Sequence, residues 1–141
     1  MKKVILLVII TTIVLTGCIV PGMGDTETKV VDDYYLVKTG VNKSFLMRGK
    51  PGKSVEIDEI VPKTVTGVYV RGEYIFVRHK PYDLVKGTVT KGKDSFYVIS
   101  HSTVSVKGPL SLTEFEELLK RLGIQTKVKF EKDKIINENV N

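Results

Sequence analysis

Thr64–Lys80 reads TVTGVYVRGEYIFVRHK. Two runs of β-branched and aromatic residues flank Arg71-Gly72, the pattern of a β-hairpin. With Arg71 and Gly72 as the loop, Val68 pairs with Ile75, Thr66 with Val77, Tyr69 with Tyr74 and Gly67 with Phe76. One side is then aliphatic (Val68, Val70, Ile75, Val77) and the other aromatic (Tyr69, Tyr74, Phe76). An arginine at positive φ is strained, so a three-residue loop with Gly72 in the left-handed region is the alternative, and it slips the pairs by one. Tyr69, Tyr74 and Phe76 form a candidate interaction face if they are exposed. They are packing if a helix or a second sheet covers them.

Outward from this hairpin the chain stays strand-like. YYLVK (34–38), SFLMR (44–48) and VEIDEIV (55–61) are short apolar runs separated by turn residues, and Pro62 ends the third. Residues 81–94 are polar and turn-rich, with either a short strand at Thr88–Thr90 or a long loop. SFYVIS (95–100) and TVSV (103–106) form a second hairpin turning at His101-Ser102. After Gly108-Pro109 the pattern becomes helical. Ser111 and Glu114 fit a capping box, with Leu110 and Phe115 as its hydrophobic staple. Leu112, Phe115, Leu118, Leu119 and Leu122 form one apolar stripe, and Gly123 is a natural stop. IQTKVKF (124–130) alternates like a last strand, and the polar residues 131–141 read as a fraying tail. The fold class is therefore α+β, a mostly antiparallel sheet of about 6–8 short strands with one amphipathic helix at 111–122.

At the N-terminus Lys2 and Lys3 precede an apolar run from Val4 to Leu15, too short for the roughly twenty residues of a membrane-spanning helix. This is the pattern of an export signal. Leu15-Thr16-Gly17-Cys18 follows, and it resembles the lipobox of bacterial lipoproteins. The resemblance implies cleavage between Gly17 and Cys18 and a lipid on Cys18 Sγ. An uncleaved anchor helix lengthened by Ile19 and Val20 is the alternative, although Pro21 and Gly22 end that run. The segments are then a signal peptide (1–17), a lipidated tether (18–31), one globular domain (32–130) and the tail. Cys18 is the only cysteine, so no disulfide supports the fold. Of the net charge of +6, Lys2 and Lys3 leave with the signal, so about +4 remains. That excess is scattered, unlike the clustered stripe of a nucleic-acid binder. A weak attraction to an anionic envelope polymer or anionic lipid is compatible with it.

Nothing in the sequence points to catalysis. His79 and His101 have no metal-ligand spacing and no free thiolate accompanies them. The cheaper reading of each is a surface histidine at a strand end. Asp32-Asp33 and Glu56, Asp58 and Glu59 could supply paired carboxylates, but a hydrolase needs two held about 5–9 Å apart in a cleft. The serines lack a G-x-S-x-G turn, and Gly87–Gly92 lacks the Lys-Ser/Thr ending of a phosphate loop. No cofactor is expected.

Taken together, the lipobox, DDYYLVKTG, VPKTVTGVYVRGEYIFVRHK, SFYVIS and GPLSLTEFEELLKRLGI are similar to a family of small bacterial lipoproteins known only as a domain of unknown function. A shorter stretch, FYVIS…VKGPLSLTEFEELLKRLGI, resembles the strand–Gly-Pro–helix segment of GYF-like modules. The second resemblance implies recognition of proline-rich peptides, through a Trp-bearing groove in those modules, whereas this chain has no Trp. The expectation is a non-enzymatic envelope binding or accessory module, held by lipid on Cys18 on the outer side of a bacterial membrane, with an envelope protein or anionic polymer as partner. The alternatives are an envelope-polymer hydrolase using carboxylates not yet placed, and peptide recognition near Phe96, Tyr97 and the helix start.

Overall fold

The central hairpin forms β5 (Val65–Arg71) and β6 (Tyr74–His79), and its loop is Gly72-Glu73. Val68 faces Val77, Tyr69 faces Phe76, Val70 faces Ile75 and Arg71 faces Tyr74. Both registers read from the sequence are thereby corrected. Gly72 has φ +56° and occupies the first loop position. Glycine at that position is what a tight two-residue hairpin asks for, and Arg71 stays in the strand. The shift moves the pairs by an even step, so the aliphatic and aromatic sides keep their membership.

A computed structural model describes residues 26–40, 43–49, 58–62, 64–83, 85–90, 93–125, 127–132 and 134–140. Gly17, Cys18, Glu56 and the first half of the 55–61 strand lie outside these residues. Three layers make up the fold. The first is an antiparallel meander of β1 (Thr26–Val31), β2 (Tyr34–Lys38), β3 (Ser44–Arg48) and β4 (Asp58–Val61). The second is a five-stranded sheet in the order β10-β9-β6-β5-β11, with β9 (Ser95–Ser100), β10 (Ser105–Leu110) and β11 (Ile135–Asn137) joining the hairpin. The third is helix α1 (Leu112–Arg121). A small ribbon of β7 (Tyr82–Asp83) and β8 (Thr88–Val89) stands apart from both sheets. The α+β class with one helix holds, with eleven short strands among the described residues.

Alternation along β5, β6 and β9 builds two cores, one on each face of the second sheet. Val68, Val70, Ile75, Val77, Tyr97 and Ile99 meet Tyr34, Leu36, Leu46 and Val61 of the meander. On the opposite face Tyr69, Phe76, Phe96 and Val98 meet Phe115, Leu118 and Leu119 of α1. Phe76 is fully buried and Tyr69 is 2% exposed, while Tyr74 is half-buried at the edge of the same cluster. The proposed interaction face of Tyr69, Tyr74 and Phe76 is therefore corrected to packing. The helix stripe needed an apolar surface, and this face supplied it.

The two sheets are also joined by polar contacts. The Ser44 hydroxyl donates to the Val65 carbonyl. Asn137 Nδ2 donates to the Val30 carbonyl at 3.2 Å. At one end, His101 bridges Asp32 Oδ2 (2.6 Å from Nδ1) and the Gly72 carbonyl (3.2 Å from Nε2).

Other boundaries shift as well. Residues 26–31 were read as tether but form β1, which pairs with β2. The tail reading is corrected too. Ile135–Asn137 adds to β5 as a parallel strand, and Asn139 both donates to and accepts from the Gly72 backbone at 2.8 Å. His79 is buried at 7% exposure against Ser95 and the Tyr97 ring, which corrects its reading as a surface residue. Every member of both cores lies between Val30 and Ile136, so the segment 26–141 carries both described cores within itself.

Two tyrosines make the interior testable. The Tyr34 hydroxyl is buried with no hydrogen-bond partner among the described residues. Leaving such a group unpaired costs about 1–3 kcal/mol, so Tyr34→Phe is expected to stabilise the protein by about 1 kcal/mol in urea unfolding. A decrease in the midpoint would count against this. Burial, then the hydrogen bond to Glu138, pushes the Tyr69 phenol from 10.0 up to about 12. Its contribution is complete below the unfolded value and lost as pH rises through the folded one. Stability should therefore fall from about pH 10 to about pH 12, and less steeply in Tyr69→Phe.

Candidate functional site

Helix α1 begins where the sequence places it. Ser111 Oγ accepts from the Glu114 backbone N–H at 3.3 Å, and Glu114 Oε2 accepts from the Ser111 N–H at 2.8 Å. The Ser111 hydroxyl, then its backbone N–H, hold the Glu114 carboxyl below its usual range. The helix ends at Gly123, whose φ is +71°. The Gly123 and Ile124 N–H groups return to the Lys120 and Leu119 carbonyls. This closing geometry turns the chain back along the sheet.

The returning segment 124–132 keeps the alternation seen in its sequence. Ile124, Val128 and Phe130 are half-buried, whereas Gln125, Lys127, Lys129 and Glu131 are exposed. It is not a strand, however, which corrects the expectation of a last ladder there. It lies over β5 on the helix side. Gly67 makes this approach possible, since a Cβ there would sit 3.1 Å from the Glu131 carbonyl oxygen and 3.2 Å from Phe130 Cβ.

Between α1 and this segment runs a groove of about 750 Å³. Its floor is aromatic. Phe96 and Phe115 stack with ring centroids 4.8 Å apart, and Phe130 lies 5.9 Å and 6.1 Å from them. The Arg78 guanidinium carbon stands 5.6 Å from the Phe130 ring centroid. Leu112 borders the groove and is 56% exposed. The rim carries Lys120, Lys127 and Lys129 with Asp94 and Glu116, and Lys80 reaches Asp94 at 3.8 Å. Volume and lining fall in the range of small-ligand sites, roughly 300–1,000 Å³ with a mainly apolar wall. Such a site can take an apolar group and orient it by charges at its edge.

Among the described residues, Asp32, Asp33 and the serines do not come together as a reacting centre. Asp32 reaches His101, while its neighbour Asp33 accepts from Arg48 Nε at 2.8 Å. His101 and Asp32 have the spacing of a base and its orienting carboxylate, but the other ring nitrogen faces a backbone carbonyl, not a hydroxyl. Ser102 instead donates to Glu73 at 2.6 Å. That hydroxyl, then Tyr74, hold the Glu73 carboxyl below its usual range. Among the described residues no three His, Cys, Asp or Glu side chains gather as a metal site. The side chains of Asp58 and Glu59 lie outside what is described.

The groove draws on Phe96 and the helix start, on Val128 and Phe130 of the alternating run, and on Arg78, which carries no signal in the sequence. Tyr97, grouped with Phe96 in the peptide reading, instead packs in the core on the meander side. The alternation of 124–130 was the available signal, but it spoke for a strand and not for a wall.

The family described as Protein of unknown function (DUF3997) matches residues 31–135 of the chain, well over half of it, and the chain belongs to that family. No curated protein and no solved structure matches it.

Gly67 is the position to probe. Gly67→Ala makes Phe130 and Glu131 give by a few tenths of an ångström, so it is expected to cost about 1 kcal/mol and to move the ring resonances of Phe130 and Phe96 together in NMR spectra. Ring resonances that stay in place would contradict the close approach.

Proposed function

We propose that this DUF3997 member is a lipid-anchored, non-enzymatic binding module of the bacterial envelope. In this reading Cys18 carries the lipid, Gly17–Cys18 is the cleavage site, and the groove between α1 and residues 124–130 is the recognition surface. Leu15-Thr16-Gly17-Cys18 behind a short apolar run supports the anchor. The observation that carries the binding role is the groove itself. Three phenylalanines line a concavity of about 750 Å³ that no described side chain fills. Recognition of an apolar peptide is the second reading, favoured by Phe96 of β9 and Leu112 and Phe115 of α1 meeting along one wall.

Among the described residues no helix is long and apolar enough to cross a membrane. Attachment in this proposal is the work of the lipid on Cys18. Two acyl chains hold a protein stably where one binds only reversibly.

Two measurements test the proposal. Radiolabelled palmitate should enter the wild-type chain, and Cys18→Ser should lose both the label and membrane fractionation. Equal labelling or equal fractionation removes the anchor. For the groove, residues 26–141 should enhance the fluorescence of Nile red, a neutral apolar dye. Leu112→Asp, at an exposed position, should weaken that binding about tenfold at an unchanged unfolding midpoint. Dye binding that ignores this substitution removes the groove as the recognition surface.

A further inference from the structure

We propose that the groove is the hydrocarbon half of a two-part site, and that its occupant is a monomeric single-chain amphiphile with a phosphate head. The proposal rests on the groove being the recognition surface and names what it takes. Its second half is a crevice of about 330 Å³ bordered by Arg78, Lys80 and Lys132, with Ser44, Thr64 and Thr66 as its polar wall. Arg78 lines both cavities, so the two adjoin at one side chain.

Three features favour a phosphate at that junction. First, Arg78, Lys80 and Lys132 border the crevice, and no carboxylate is among its described lining residues. Asp94, which lies 3.8 Å from Lys80, is on the groove side. Asp94 already partners Lys80, and a phosphate would add acceptor oxygens for the Arg78 guanidinium and the Lys132 ammonium. Second, Arg78 is fixed in place. Its Nε donates to Thr66 Oγ1 at 3.2 Å, and Thr66 Oγ1 donates to the Arg78 carbonyl at 3.3 Å. Its guanidinium also rests near the Phe130 ring. A cation held by an aromatic face next to an apolar trough suits a molecule that changes from hydrocarbon to anion over a short length. Third, the hydroxyls of Ser44 and Thr64 donate to the Val65 and Lys80 carbonyls. The crevice is thus braced before a ligand arrives, and the head group meets cations, not a collapsing wall.

The groove supplies the other end. Phe96, Phe115, Phe130, Leu119 and Val128 present a continuous apolar surface, and Leu112 extends it outward. Lys120, Lys127 and Lys129, with Arg78, outnumber Asp94 and Glu116 around this trough, so an anion approaching from solvent meets a net positive rim.

The test uses residues 26–141 and isothermal titration calorimetry. The probes are dodecyl phosphate below its micellar concentration, neutral 1-O-dodecylglycerol, inorganic phosphate, and phosphatidylglycerol vesicles. Dodecyl phosphate should bind one per chain, about tenfold or more tighter than dodecylglycerol and than inorganic phosphate. Lys132→Gln, at an exposed position bordering only the crevice, should weaken dodecyl phosphate about tenfold and leave dodecylglycerol unchanged. Leu112→Asp should weaken both amphiphiles. Equal affinity for the two amphiphiles, or a preference untouched by Lys132→Gln, overturns the phosphate assignment while leaving the groove in place. Indifference of both amphiphiles to Leu112→Asp overturns the groove reading itself. Binding to vesicles without binding of dodecyl phosphate overturns the proposal in favour of adsorption to a charged surface, and capture only of apolar peptides overturns it in favour of peptide recognition.

Discussion

The architecture depends on one constraint: β5, β6 and β9 must bury both of their faces at once. Each strand does so by sorting side chains by parity. Val68, Val70, Ile75, Val77 and Ile99 go one way, and Tyr69, Phe76, Phe96 and Val98 go the opposite way. A sheet covered on both sides has no tolerance for a single-residue slip, since that would exchange aliphatic and aromatic layers. The meander and the helix are the two covers. Neither would have an apolar partner without the sheet between them, because each offers only one apolar side.

The two covers are unequal, and the recognition surface follows from that inequality. The meander spreads four strands over the aliphatic face. On the aromatic face, a ten-residue helix leaves part of the layer uncovered. The segment after Gly123 returns to complete the cover, but Gly67 lets it lie close to β5 while α1 stands off on large rings. A trough remains between a tight cover and a loose one. Phe96 lines it from the sheet, Phe115 from the helix and Phe130 from the returning segment.

Much of this was legible in the sequence where the determinants are local. The helix, expected at 111–122 and found at Leu112–Arg121, was bounded to within one residue at each end by Ser111, Glu114 and Gly123, since capping is a matter of neighbours within one turn. The hairpin was legible, but its register depended on whether Gly72 took the first or second loop position, a choice made by Arg71 staying paired with Tyr74. The rest was non-local. Ile135–Asn137 has only two apolar residues, and its partner lies at Val68–Val70, so no window of sequence contains the pairing. Residues 124–130 kept a strand's alternation without a ladder, because period two reports which side is buried, not whether a neighbouring backbone is there to bond. His79 lies beneath the Tyr97 ring for the same reason: burial at a strand end is decided by what crosses it. As for the groove, all three phenylalanines could be named from sequence, but not the meeting of Phe130 with Phe96 and Phe115 that turns two packed rings into a wall.

The parallel pairing of β11 with β5 also imposes an order in time. Every other strand of the second sheet is synthesised before the one that seals its β5 edge. Until Ile135–Asn137 emerge, Val68–Val70 offer open amides and carbonyls to any passing chain. A copy that stops short, or is clipped near Glu131, would keep its helix and most of its strands yet display an adhesive margin. Chains that carry Ile135–Asn137 conceal that margin, because these three residues pair with Val68–Val70 along it.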